Sequence, residues 1–261
     1  SVDAEVTTEA LLRGAYDVVC KPCGASRKEN VKQLQCDLAN RIAPLKQSTE
    51  SIADETKAGY QAPPQSLAGV KVDAVLVGAS TGGPVALHAL LSALDPRLNV
   101  PVLIVQHIPC GFSSPLARRL GRECKLPVVE AEDGMTVDKG KVYLAPGGRH
   151  LTIQPKLSGP VIQLSDNPPV NGCRPSVDVM LDSAIHVFGK RCLVVILTGM
   201  GRDGATAAGV IRSRGGIVFA QHPESCTVSS MPRQTVRLAG ADRIAGVPQI
   251  AELINCVCVG R

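Results

Sequence analysis

The chain has 261 residues, 44% of them apolar, and a net charge of +5, enough apolar content for a sizeable buried core in one large domain or a domain with an appendage. Three Phe, three Tyr and no Trp leave almost no stacking platform for single-stranded nucleic acid, and the basic residues are dispersed, so nucleic acid is excluded as an expected partner. No apolar run approaches the roughly 20 residues of a membrane helix, and the first residues lack a basic-then-apolar leader; membrane insertion is not expected and the cytoplasm is the default location. The ten cysteines are scattered through apolar runs of a full-sized domain, which reads as reduced, mostly buried thiols. Cys20 with Cys23 and Cys256 with Cys258 have unlike spacings, so no metal site and no cofactor are expected.

In chain order, Thr8 to Gly14 predicts a helix closed by glycine, Tyr16 to Cys20 a short strand stopped by Pro22, and Asn30 to Ile42 a second helix with Val31, Leu34, Leu38 and Ile42 at helical spacing. From residue 44 to 69 the apolar period vanishes among Gln, Ser, Thr, Glu, Ala and Pro, the composition of a linker. Three zones result: 1–43, a linker at 44–69, and a main domain at 70–261.

The main domain predicts strands at Val72 to Val77, Val100 to Val105, Cys192 to Leu197 and Ile217 to Ala220. Helices fit between them: from Pro84 to Leu94, from Ser114, and from a Ser176 cap to just before Gly189. Between Lys141 and Ser165 the pattern changes to short strands with Gly-rich punctuation, an antiparallel excursion. The fold class expected is therefore α/β, three-layered, with a mostly parallel doubly wound sheet.

Gly78-Ala-Ser80-Thr-Gly82 matches a nucleophile elbow in its required place between strand and helix. A dinucleotide cradle is the rival, but Pro84 stands where a third glycine belongs, and there is neither a Tyr-x-x-x-Lys pair nor a phosphate-loop lysine. A serine nucleophile needs a base. His88 and His186 fall inside helices and His150 follows a turn, whereas His107 and His222 each end a strand as Gln-His, and sequence physics leaves these two tied. Asp203 follows a third strand in a glycine-rich turn, where it either orients the base or caps the next helix.

Seven segments together resemble the chemotaxis protein-glutamate methylesterase family, the CheB type, across Val72 to Leu253. They are Gly78-Ala-Ser-Thr-Gly-Gly-Pro84, Gln106-His-Ile-Pro109, Glu130-Ala-Glu-Asp-Gly134, Ala145-Pro-Gly-Gly-Arg-His150, Arg174-Pro-Ser-Val-Asp178, Leu197-Thr-Gly-Met-Gly-Arg-Asp-Gly204 and Met231-Pro-Arg233. The resemblance implies Ser80 as nucleophile, His107 rather than His222 as base, Asp203 as its orienting acid, and the backbone amides of Thr81 and Met200 as oxyanion hole. It implies hydrolysis of glutamate methyl esters on chemotaxis receptors in two-component signalling, and deamidation of receptor glutamines. A non-catalytic receptor- or nucleotide-binding regulator on the same scaffold is the alternative.

The first 43 residues resemble the end of a response-regulator receiver domain through Glu9-Ala-Leu-Leu-Arg-Gly-Ala15, Asp17 and Lys21-Pro22. Lys21 then matches the phosphoryl-contacting lysine. The acidic pocket of a complete receiver would precede Ser1, so phosphorylation, with a histidine kinase as donor, is expected only of an intact receiver. The chain departs from the family at Cys173, where histidine is frequent, and at His222, Pro223 and Ser230.

Overall fold

The computed structural model describes residues 2–22, 26–47, 67 and 69–259. Seven strands form one parallel sheet in the order β3-β4-β2-β1-β7-β8-β9. They are β1 (Ala74–Ala79), β2 (Val102–Gln106), β3 (Val128–Glu130), β4 (Val142–Leu144), β7 (Cys192–Ile196), β8 (Ile217–Gln221) and β9 (Arg243–Ala245). A separate antiparallel hairpin joins β5 (His150–Lys156) to β6 (Gly159–Ser165), with His150 opposite Ser165.

The central strands are apolar on both faces because both are covered, as parallel sheets require. Along β1 the side chains alternate. Val75, Val77 and Ala79 join one core with Leu87, Leu90 and Leu91 of α3 (Gly83–Ala93), Leu116 and Leu120 of α4 (Ser113–Glu123), and Ile250 and Ile254 of α8 (Val247–Cys258). Ala74 and Leu76 join the opposite core with Met180 and Ile185 of α5 (Val177–Phe188), Ala208 and Ile211 of α6 (Ala205–Ser213) and Met231 of α7 (Ser230–Ala239). The hairpin packs on this second side through Leu151, Ile153 and Ile162. The result is the expected three-layer α/β architecture.

Chain direction changes at β1. The chain leaves β1 for β2 on one side, and later fills the other side with β7, β8 and β9. A crevice opens at the carboxyl ends of strands at such a switch point, where sites in open α/β sheets form.

Several expectations need correction. Val142–Leu144 is not part of the antiparallel excursion: it pairs parallel with both β2 and β3, and only the hairpin is antiparallel. Tyr16 to Cys20 forms no strand, since no strand among the described residues lies beside it to take up its amides and carbonyls. The first helix, α1, spans Val2–Leu12, and its buried Ala4, Thr8 and Leu11 lie on one face. The second, α2, runs Arg27–Gln47, beyond the boundary set at residue 43, with Val31, Leu38 and Ile42 exposed. Most of the linker, 48–66, lies outside the described residues, as does Cys23.

Candidate active site

Ser80 follows β1 directly. Its amide donates to Thr198 O at 3.0 Å, and its carbonyl accepts from the Gly83 amide at 2.7 Å, which closes a tight turn into α3. Gly82, with φ of 76°, takes the left-handed conformation that this turn demands. Gly199 lies flush against the serine: a β-carbon there would stand 2.7 Å from Ser80 Cβ and would collide with Met231 Sδ.

His107 follows β2, the neighbouring strand, and its amide donates to Ala79 O at 2.9 Å. The preceding Gln106 is a buried clamp. Its Nε2 donates to the carbonyls of Ser80 and His107, both at 2.9 Å, and thereby ties the serine turn to the histidine turn.

The acid comes from the strand on the other side of β1. Asp203, 2% exposed, stands in the turn after β7, and its Oδ2 meets His107 Nε2 at 2.8 Å. The alternative reading, that it caps α6, is not realised. Oδ2 instead accepts from the Val177 amide at 2.6 Å, and Oδ1 accepts from the Asp178 amide at 3.2 Å, the Ser176 hydroxyl at 2.7 Å and Asn171 Nδ2 at 3.0 Å. Ser176 occupies the predicted N-cap position of α5, but its hydroxyl goes to Asp203, whose carboxylate satisfies the helix's first amides from another loop.

These contacts set the charges. Burial would lower the His107 pKa, but the hydrogen bonds to Asp203 and Cys173 more than reverse that and push it up to about 9. Burial would likewise raise Asp203, yet the His107 ring, the Val177 amide and the Ser176 hydroxyl hold it down at about 2. Both partners therefore favour the imidazolium–carboxylate pair. Asp178, close by, moves upward through burial and the neighbouring Asp203 charge.

The ring's other nitrogen, Nδ1, lies 3.6 Å from Cys173 Sγ and, among the described residues, is not hydrogen-bonded to Ser80. Cys173, Asn171 and Ser176 all come from the approach to α5, and sequence reasoning assigned no site role to any of them. The departure from the family pattern at Cys173 was the available signal. Neither the Thr81 nor the Met200 amide has an acceptor among the described residues. The Thr81 hydroxyl, by contrast, donates to Asp17 Oδ2 at 2.8 Å.

The two Gln-His strand ends differ in their contacts. His222 is exposed at the end of β8, with its amide bound to Ala245 O, whereas His107 holds the acid. What the two ends share is the glutamine: Gln221 is buried like Gln106, accepts from the Thr198 amide at 2.7 Å and donates to Ser225 O at 2.8 Å. His150 is structural, with Nδ1 accepting from the Ser176 amide at 3.2 Å.

The cleft over the serine is filled from the amino-terminal zone. Leu11, Tyr16, Asp17 and Val18 close over Ser80, Thr81, Gln106 and His107, leaving a cavity of about 10 Å³, room for about one water. Ion pairs from Glu5 to Arg118 (3.2 Å) and from Glu9 to Arg119 (3.3 Å) hold α1 against α4.

The sequence model of the CheB methylesterase family matches residues 75–254, the segment that carries all three strand-end residues. This chain belongs to the CheB methylesterase family. A family member from Clostridium acetobutylicum named protein-glutamate methylesterase/protein-glutamine glutaminase is 33% identical over 249 residues, 95% of this chain and 70% of that protein. One of the same name from Archaeoglobus fulgidus is 38% identical over 259 residues, 96% and 72% of the two chains. The crystal structure of the Thermotoga maritima CheB methylesterase catalytic domain superposes with a TM-score of 0.69 at 38% identity, covering 72% of this chain and all of that domain. Among the described residues no helix is long and apolar enough to cross a membrane.

Proposed function

We propose that the chain hydrolyses glutamate methyl esters on chemotaxis receptors, and deamidates receptor glutamines, by acyl transfer through Ser80. One observation carries the reading. A serine on a tight strand-to-helix turn shares a cleft with an imidazole whose far nitrogen is held by a buried carboxylate, the arrangement of a nucleophile, its base and the orienter of the base.

Ser80 Oγ attacks the ester carbonyl as His107 Nδ1, the nitrogen opposite Asp203, takes its proton. Nδ1 must first give up the Cys173 thiol. The Thr81 and Met200 amides receive the oxyanion, at the amino end of α3 and in the turn after β7. The proton on Nδ1 then passes to the leaving oxygen, the carbon–oxygen bond breaks, and methanol departs. Water attacks the acyl-serine, gives its proton to His107, and releases the glutamate carboxylate with Ser80 restored; from glutamine the leaving group is ammonia. Asp203 stays ionised throughout, stabilising the imidazolium that forms in each half-reaction.

The amino-terminal zone acts as a cover in this reading. Asp17 occupies the Thr81 hydroxyl and Tyr16 the cleft mouth, so a receptor side chain enters only when residues 11–18 move aside. A cytoplasmic location belongs to the same reading, supported by the free thiols of Cys124, Cys173, Cys192 and Cys226.

The test is methanol release from methylated receptor membranes by the wild-type chain, Ser80→Ala, His107→Gln and His222→Gln, with folding checked by circular dichroism. Loss of about 10³-fold or more is expected in the first two, with retention in the third. Activity that persists without Ser80 overturns the assignment.

A further inference from the structure

Ester hydrolysis leaves one side chain of the site without a task. Cys173, half-buried on the approach to α5, brings Sγ within 3.6 Å of His107 Nδ1, while Nε2 on the opposite side of the ring meets Asp203 at 2.8 Å. A sulfur, a ring nitrogen and a carboxylate oxygen of these three residues lie within 4.8 Å of one another. Asp203 has little capacity left for a ligand, since its two oxygens already accept from Ser176, Asn171, Val177, Asp178 and His107. Its position is instead that of an outer carboxylate, which orients a metal-bound histidine and strengthens it as a donor. With zinc–sulfur and zinc–nitrogen bonds of about 2.3 and 2.1 Å, a tetrahedral angle sets the two ligand atoms about 3.6 Å apart. That is the separation found here.

We propose that Cys173 Sγ and His107 Nδ1 form a binding site for a thiophilic divalent cation such as Zn²⁺, and that an ion there switches the esterase off by occupying the lone pair the base would use. Binding releases the thiol proton and the Nδ1 proton of the imidazolium to solvent, sulfur and nitrogen then each donate a pair to the metal, and water completes its coordination. Two protein ligands fall short of the four of a structural zinc site, so the fold does not depend on the ion. The inhibitory half of the proposal rests on the esterase reading; the binding half does not.

Cobalt(II), titrated without oxygen into the full chain with its thiols reduced, should give a thiolate-to-cobalt band in the near ultraviolet that is missing in Cys173→Ser. In the wild-type chain Zn²⁺ should displace the cobalt and protect Cys173 from iodoacetamide, read by peptide mass spectrometry. Methanol release should fall with Zn²⁺ and recover with chelator. Relative to its own metal-free rate, Cys173→Ser should need at least about tenfold more zinc, since losing even an outer partner costs about 10–100-fold in affinity. A band and a zinc sensitivity that persist in Cys173→Ser, or alkylation of Cys173 unaffected by zinc, overturn the proposal. A Cys173-dependent band in a chain that releases no methanol would instead uphold the binding site and sink the esterase reading.

Discussion

Asp203 and Asp178 exchange helix caps: Asp203, just ahead of α6, accepts the Val177 and Asp178 amides of α5, while Asp178, inside α5, accepts the Ala207 amide of α6 at 2.9 Å. Asn171 bridges them, donating to Asp178 Oδ2 at 2.8 Å and Asp203 Oδ1 at 3.0 Å. The Asp203 carboxylate that holds the His107 ring is thereby locked to the packing of two helices. Replacing Asp178 by alanine removes a cap and leaves the Asn171 amide with one partner fewer, a cost of about 1–2 kcal/mol in urea unfolding. Asp178→Ala should also lower kcat by less than Asp203→Ala does, because Asp203 keeps its His107 contact.

The activity should climb with pH. His107 accepts a proton only when neutral, and its pKa is raised from 6.5 to about 9, so kcat/KM should increase through the neutral range, reach half its maximum near pH 9 and level off only above it. Cys173 contributes to that rise, so Cys173→Ser should move the inflection toward lower pH. Stability runs the other way. A raised histidine pKa contributes stability that is fully present below about 6.5 and lost as pH rises through about 9, and the depressed Asp203 contributes stability lost only as pH falls through about 2. Thermal melts of the wild type should therefore lose stability relative to His107→Gln between pH 7 and 9.5. A flat rate profile across this range would contradict the assignment of His107 as base.

Much of this arrangement was legible in the sequence, for reasons specific to particular residues. The runs ending at Ala79, Gln106 and Ile196 are apolar on both faces, so parallel strands and their carboxyl ends could be located, and with them Ser80, His107 and Asp203. Edge strands β3 and β9, three residues each and only partly buried, carry too little pattern to be seen. Val142–Leu144 reads the same in either pairing sense, because strand direction is set by the neighbour rather than by the strand. The partners of Asp203 were hidden for a further reason. Asn171, Ser176 and the Val177 amide reach it from 25 or more positions earlier in the chain, through a loop with no periodicity.

Gly199→Ala tests how finely the serine is placed. The added methyl meets Ser80 Cβ and Met231 Sδ, so the elbow must shift, and a displacement of about 1 Å costs on the order of 10²-fold in rate. The loss should appear in kcat together with a lowered melting temperature, since the methyl overpacks the buried Met231, and wild-type kcat in this variant would show that the elbow tolerates displacement.

Removing the cover should speed the enzyme. A chain beginning at residue 67 lacks Leu11, Tyr16, Asp17 and Val18 over the cleft, and Asp17→Ala loses the bond to Thr81. Both should raise kcat/KM on receptor membranes, the truncation by more, with the difference lying in KM if the cover only competes with substrate. Rates equal to that of the intact chain would mean that residues 11–18 leave the cleft freely.

The three groups that meet over the sheet belong to adjacent strands but are remote along the chain, with 96 positions separating His107 from Asp203. Their meeting closes a long loop, an entropic cost met only when β1, β2 and β7 are all in register. Local helices can form without that step, and catalysis cannot. During refolding from urea, methanol release should therefore lag behind helical circular dichroism, making turnover a gauge of how much of the population has completed its slowest, longest-range pairing.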